Sequence, residues 1–399
     1  MSSISEAQQL SLLAIAARFV DPGRIAAVQP LGNGQINDTF LVRLHPAAAP
    51  ASGPWPMEGD RGFGRAFVLQ RLNREVFQDP AEVIANHRIV EEHVNRRLRA
   101  GVPVLSGRRW ELPELLPPRQ EPGPAVVVDG EHWRALRFIE DSHSVEVISS
   151  PEQARQVGLG LGVFHLLISD LPVDRLADTL EGFHITPAYL ERYDAIAAGI
   201  RAPQDLAEPI PADWLQQRRW CEAFIEERRA LAPVLEQGRA AGLLPLRPIH
   251  GDPKVNNLLL DPGTGAAIAL IDLDTVKPGL VHYDIGDCLR SGCNPLGEDT
   301  TDLAAVQFDA ELFEAILSGY LSVARHFLTP PDWEALLVAP RLLAFELGLR
   351  FYTDHLEGDP YFRARDRRHN LDRALVQFHL AASIEAQHER LAAIVEALR

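Results

Sequence analysis

Apolar positions at Leu10, Leu12, Leu13, Ile15, Ala16 and Phe19 recur at helical intervals and stop at Asp21-Pro22-Gly23, so the pattern predicts a leading helix over residues 5–20. The period then changes to that of extended chain. Runs at 25–31 and 39–44 flank a turn from Gly32 to Asp38 and predict a hairpin, which a third run at 66–72 continues. Between them, residues 46–65 are dominated by Pro, Gly and Ala and predict a mobile surface insertion. Helical spacing returns after Pro80 with Val83, Ile84, Ile89, Val90 and Val94, reaching about Arg99. Extended pieces follow at 102–105 and 111–116, and 124–128 with 132–139 predict a hairpin closed by Asp129-Gly130.

At residues 140–150 the pattern turns from strand-rich to helix-rich, with helical stretches at 151–169, 186–199, 212–238, 309–327, 331–354 and 371–397. The class is α+β: a small antiparallel-sheet N-lobe over 1–140 and a larger helical C-lobe over 141–399. Gly158, Gly160 and Gly162 lie inside the first of these helices with no strand before them, which favours close helix packing over a nucleotide loop.

Composition narrows the classes. The formal net charge of −16, with no Lys/Arg run long enough to form a basic face, argues against nucleic acid or an anionic membrane as partner. The cysteines Cys221, Cys288 and Cys293 form neither a disulfide framework nor a zinc pattern. With no basic and apolar leader and no run of spanning length, the expected location is the cytoplasm. The expected partner is a small molecule, and a homodimer stays open.

Candidate chemistry concentrates in residues 249–275. His250, Asp252 and Asn257 follow the spacing H-x-D-x-x-x-x-N, a short apolar run leads to a turn at Pro262-Gly263-Thr264-Gly265, and a second apolar run delivers Asp272. Phosphoryl transfer calls for such a set: a carboxylate to receive a hydroxyl proton, and an amide and a second carboxylate to hold magnesium. Asp252 is the expected base, His250 a buttress of its loop, and Asn257 and Asp272 the expected metal ligands. Asp274 would share the face of Asp272 if the strand continues. Lys254 is either a cation for the transferring group or an exposed lysine, and Asp284 either a brace for the loop or a helix cap. Arg290 and Arg350 stand in otherwise apolar helices, which invites a buried carboxylate or a ligand oxygen as partner. The turn bearing Gly32 and Gly34 suits phosphates or is an ordinary hairpin loop.

His250-Gly251-Asp252-Pro253-Lys254-Val255-Asn256-Asn257 and Ile271-Asp272-Leu273-Asp274 together resemble the aminoglycoside phosphotransferase and choline kinase family, the small-molecule branch of the protein-kinase-like bilobal fold. The resemblance implies ATP and Mg2+ as cofactors. It also implies an adenine site behind Arg137-Phe138-Ile139-Glu140, which puts Phe138, Ile139 and Glu140 at the hinge. Gly182-Phe183-His184, Asp272-Leu273-Asp274-Thr275-Val276-Lys277-Pro278-Gly279 and Gly358-Asp359-Pro360-Tyr361-Phe362 look like the N-acetylhexosamine 1-kinases, which act on an anomeric hydroxyl. By that similarity Arg350 and Tyr361 reach the sugar beside Asp252. One departure stands out: where the family carries a phosphate-binding lysine, this strand reads Val68-Leu69-Gln70-Arg71. Arg71 or Lys254 would then replace the lysine, or Gln70 would contribute a neutral hydrogen bond. A kinase for choline, homoserine or an aminoglycoside, and a binding module without catalysis, remain the rival readings.

Overall fold

The computed structural model describes residues 5–32, 36–46, 64–199 and 211–399. Gly34 and most of the insertion expected over 46–65 lie outside the described residues. Helix α1 (Glu6–Ala16) opens on a capping box, with Ser5 accepting from the Gln8 N–H and the Gln8 side chain accepting from the Ser5 N–H. Strands β1 (Ile25–Pro30), β2 (Asp38–Leu44) and β3 (Ala66–Arg71) follow, then helix α2 (Pro80–Ala100), capped by Asp79 and ended by Gly101 at φ +86°. Strands β4 (Leu115–Leu116), β5 (Ala125–Val128) and β6 (Glu131–Arg137) complete an antiparallel sheet of order β1-β2-β3-β6-β4, with β5 also paired to β6.

Strand alternation decides which residues look where. Phe67 and Leu69 are buried with Leu12, Ile15 and Phe19 in the α1 cluster. Gln70, one residue on, lies on the other face of β3. The register sets Gln70 opposite Thr39 on one side and opposite Arg134 on the other.

After β7 (His143–Ser144) the chain is mainly helical: α3 (Pro151–Ile168), α4 (Thr186–Gly199), α5 (Ala212–Arg228) and α6 (Val234–Ala240). Strands β8 (Arg247–Ile249), β9 (Leu258–Leu260), β10 (Ala267–Leu270) and β11 (Lys277–Gly279) carry the central motif. They pair antiparallel as β10-β9-β7 and β11-β8. Helices α7 (Val281–Gly292), α8 (Ala310–Ala324), α9 (Pro330–Ala335), α10 (Val338–Glu357), α11 (His369–Ala386) and α12 (His388–Leu398) finish the described chain. This is the two-part α+β architecture expected, a sheet-bearing N-terminal region and a helical C-terminal region. Among the described residues no helix is long and apolar enough to cross a membrane.

Several boundaries differ from the periodicity. Residues 102–105 form a 3-10 turn at Pro103–Leu105, and only Leu115–Leu116 of 111–116 is strand. The stretch 212–238 breaks before Val234 because Pro233 has no N–H to continue the ladder. The stretches 331–354 and 371–397 each divide into two helices; at the first break Pro340 has no N–H for the Leu336 carbonyl, and the second occurs without a proline.

Helices α3 and α8 cross on glycine. A Cβ at Gly158 would lie 1.8 Å from the Ile316 carbonyl oxygen, and one at Gly319 would lie 2.0 Å from that of Arg155. Backbone cannot yield as a flexible side chain does, so Gly158→Ala is expected to cost about 1–3 kcal/mol or more. Urea unfolding measures it, and an unchanged midpoint would mean that the crossing can shift.

Candidate active site

Strand β8 ends at Ile249, and the turn after it depends on Gly251, whose φ is +89°. A Cβ there would lie 2.5 Å from the Thr275 carbonyl oxygen, so glycine is required both by conformation and by room. Asp284, in the first turn of α7 and fully buried, holds the loop. Its Oδ2 accepts the His250 N–H at 2.7 Å and its Oδ1 the Gly251 N–H at 2.8 Å. His165 of α3 reaches the same carboxylate at 2.8 Å and contacts the Tyr320 hydroxyl at 3.0 Å. The glycine crossing of α3 and α8 is thereby connected to the loop. Burial works to raise Asp284, but the His165 hydrogen bond and charge outweigh it and hold the carboxyl below its usual range.

His250 is buried beside it. Its Nδ1 accepts the Asp252 N–H at 3.2 Å and its Nε2 contacts the Ile271 carbonyl at 2.9 Å. Burial lowers its pKa, so the ring is a neutral brace. Asp252 has its Oδ2 held by the Lys254 ammonium at 2.7 Å, and the Asn257 amide donates to the Asp252 carbonyl at 2.7 Å. Among the described residues its Oδ1 receives no hydrogen bond. Burial would raise Asp252, yet the Lys254 charge and hydrogen bond prevail, and the carboxyl stays low and ionised. Lys254 is raised in turn: burial opposes its charge, and Asp252 followed by Asp272 restores it.

The hairpin β9–β10 turns at an Asp261 side chain that accepts from Gly263 and Thr264, and it returns the chain to Asp272. The strand stops at Leu270. Asp272 adopts φ +66°, a left-handed conformation uncommon outside glycine, and a 3-10 turn (Leu273–Thr275) follows. Burial first, then the like charge of Asp274, push Asp272 up to about 7. The expectation that Asp274 continues on the face of Asp272 required an unbroken strand, which the turn removes. Both Asp274 oxygens are already engaged, Oδ1 by Arg134 and Oδ2 by the Asn37 amide at 2.6 Å.

Asn257 and Asp272 remain as oxygen donors for a hard cation, since Asn257 spends its NH2 on Asp252. Among the described residues no three His, Cys, Asp or Glu side chains converge as a metal cage. Magnesium held by one carboxylate, one amide, phosphate and water needs no such cage.

The N-terminal candidates separate. Gln70 donates to the Thr39 hydroxyl at 3.1 Å and accepts from Arg134. Arg71 lies on the opposite face of β3 and pairs with Asp38. Gly32 has φ +70° with open space around it. Phe138, Ile139 and Glu140 leave the end of β6, and Ile139 packs with Leu259, Ile268 and Ala269. The Glu140 side chain is held by Arg65 at 2.7 Å, whose hydrogen bond keeps it below the usual carboxylate range.

Arg290 is buried among acidic partners. Its guanidinium is committed to Asp287 and Glu298, and the other oxygen of Asp287 is buried without a partner among the described residues. Arg350 is the reverse case. Among the described residues it has no carboxylate partner and no hydrogen bond. It is ringed by Phe183 and Tyr189 at 5.1 Å each, Phe362 at 5.3 Å and Tyr361 at 5.9 Å to the ring centroids. Asp354 sets two of those rings by accepting the N–H groups of Tyr361 and Phe362 at 2.8 and 3.0 Å.

Arg134, Asn37, Asp287, His184 and Glu346 were not legible as site residues. His184 is buried with φ +66°, one nitrogen against Glu346 at 2.8 Å and the other against the Gly251 carbonyl at 2.7 Å. Both contacts call for the doubly protonated ring. Burial disfavours that form, but the Glu346 charge and hydrogen bond override it and raise the pKa above the ordinary value. The stability this pair contributes is complete below the ordinary histidine value of about 6.5 and is lost as pH rises through the raised one. Melting temperature is expected to fall across that alkaline step, and His184→Gln to remove the step. An identical pH profile in the variant would contradict the assignment.

A sequence profile described as "Phosphotransferase enzyme family" matches residues 27–336. Among solved structures the chain is similar to an aminoglycoside phosphotransferase of Alicyclobacillus acidocaldarius, at 15% identity and TM-score 0.56, covering 100% of this chain and 98% of that one. It is also similar to a choline kinase of Cryptosporidium parvum, at 13% identity and TM-score 0.57, covering 98% and 97%. A microcompartment-associated aminopropanol kinase matches at 18% identity and TM-score 0.55, covering 98% and 99%. At these identities the likeness is one of fold.

Proposed function

This chain belongs to the phosphotransferase enzyme family, and from that premise we propose that it is an ATP- and magnesium-dependent kinase for the hydroxyl of a neutral sugar, the anomeric hydroxyl of an N-acetylhexosamine or a related hexose. In this reading residues 1–140 serve the nucleotide, and residues 141–399 carry the catalytic loop, the metal ligands and the acceptor pocket. Asp252 orients the acceptor hydroxyl with its unbonded Oδ1 and takes the proton. Lys254 keeps that carboxylate ionised, and His250 with Asp284 fixes the loop's backbone. Asn257 and Asp272 hold magnesium, which neutralises phosphate charge when bound.

The observation that carries the sugar over its rivals is Arg350. A guanidinium with no carboxylate partner among the described residues, walled by aromatic rings and close enough to Asp252 to feel its charge, offers donors to ring or acetamide oxygens and apolar faces to a sugar. The same charge opposes choline or an aminoglycoside: at an effective dielectric of 20, two like charges about 4 Å apart cost ~4 kcal/mol.

A panel of ADP-release assays over N-acetylhexosamines, choline, homoserine and aminoglycosides tests this. Sugar turnover is expected, with Arg350→Met raising KM for the sugar about tenfold or more through lost hydrogen bonds to a charged group. Turnover confined to cationic alcohols would overturn the reading.

A further inference from the structure

Arg134 is a fully buried arginine in the middle of β6, 1% exposed, and its position follows from register. It stands directly across from Gln70, the residue in the slot of the absent strand lysine. Its Nε and Nη2 donate to the Gln70 Oε1 at 3.1 and 2.8 Å, and Nη2 also meets Asp274. Asp274 receives Asn37, at the end of the turn that begins with Gly32. Arg134 therefore lies where the sheet, Asn37 and the Asp272–Asp274 segment meet. The following helix supplies no acidic partner: Glu91 accepts from the Leu115 N–H, Glu92 pairs with Arg88, and the residue of α2 whose charge state Arg134 affects is His87. Arg71 is on the wrong face and Lys254 is spent on Asp252.

One feature of the cluster is unfinished. The Nη1 of Arg134 is buried and has no acceptor among the described residues. A buried N–H left without a partner is costly, and a guanidinium whose other edge is pinned presents that nitrogen in a fixed direction.

We propose that Arg134 supplies the positive charge that holds the nucleotide's phosphates, with Nη1 as the phosphate donor and with Gln70 and Asp274 positioning the guanidinium. The cation has moved from one strand to its neighbour across a single rung of the sheet. Asp274 is then the partner that orients Arg134, and Asp272 is the carboxylate left for the metal. This assignment rests on the kinase reading above, because it presumes a nucleotide.

Calorimetry on the full chain with magnesium tests it by comparing ADP with adenosine, which share the base and differ in phosphate. The wild type should bind ADP more tightly, Arg134→Met should lose about ten- to a hundredfold of that preference, the equivalent of one hydrogen bond to a charged group, and Arg134→Met with Gln70→Lys should recover part of it. A cooperatively melting Arg134→Met that keeps the wild-type preference overturns the proposal. If Arg134→Met does not melt cooperatively, 15N-arginine labelling of the wild type decides. A guanidinium resonance that moves with ADP, stays with adenosine and is missing in Arg134→Lys supports the role, and no such resonance overturns it. A wild type that binds neither compound sinks the kinase reading itself, and this role with it.

Discussion

Asp252→Asn is expected to lower kcat by about 10²- to 10⁴-fold, the usual worth of a positioned base, with a smaller change in KM. The substitution keeps shape and hydrogen-bonding reach but removes the charge that Lys254 is placed to balance. Lys254 Nζ stands 2.7 Å from the Asp252 Oδ2, so the amide also leaves an ammonium without its counterion. Part of the loss would then come from a displaced Lys254. Asp252→Asn combined with Lys254→Met separates the two: the double variant should be no more active than the single one if the base is what matters. Single-turnover phosphoryl transfer is the measurement. A variant within a few-fold of wild type would remove Asp252 from the chemistry.

The second large effect is on the frame of the site. Asp284→Asn should destabilise the protein by about 3–5 kcal/mol, as breaking a buried charged network does. Three donors converge on this carboxylate, from the His250 N–H, the Gly251 N–H and His165. An asparagine has one oxygen to answer them and would place an NH2 against a donor. Because the Asp284 carboxyl is held low, its contribution is present above the ordinary aspartate value near 3.9 and disappears as pH falls through the lowered one. Urea unfolding at neutral pH should show the loss, and at acid pH the gap between variant and wild type should narrow. A midpoint unaffected at neutral pH would show that the loop holds its shape without Asp284.

What could be read from the chain alone was whatever is local. The loop from His250 to Asn257 and the hairpin that delivers Asp272 are set by spacing and by a Gly-rich turn, and both formed. Asp284 was legible only as a loop brace or a helix cap, and its bonds to the His250 and Gly251 N–H groups make it the brace. Asp274 was not, since its direction depends on the left-handed Asp272 that ends the strand, a conformation that no periodicity reports. Arg134 is a product of strand register between segments 64 residues apart, and beside Arg137 in the same hairpin nothing local marks it. Arg290 and Arg350 look alike in sequence. Only packing shows that the first is consumed by Asp287 and Glu298 and that the second faces aromatic rings, with no carboxylate partner among the described residues. The helix breaks at residues 229–233, 336–337 and 387 fell within continuous helical patterns, because apolar spacing survives a change of axis.

A site that passes a phosphoryl group from ATP to the hydroxyl of a neutral sugar, as we propose, must leave phosphorus on that sugar. Phosphorus NMR of the wild-type protein with ATP, magnesium and an N-acetylhexosamine tests it most directly. ADP is expected together with a sugar phosphate signal coupled to the anomeric proton, both absent with Asp252→Asn. ATP left unchanged, or phosphate found only on a cationic alcohol supplied in the same tube, would contradict it.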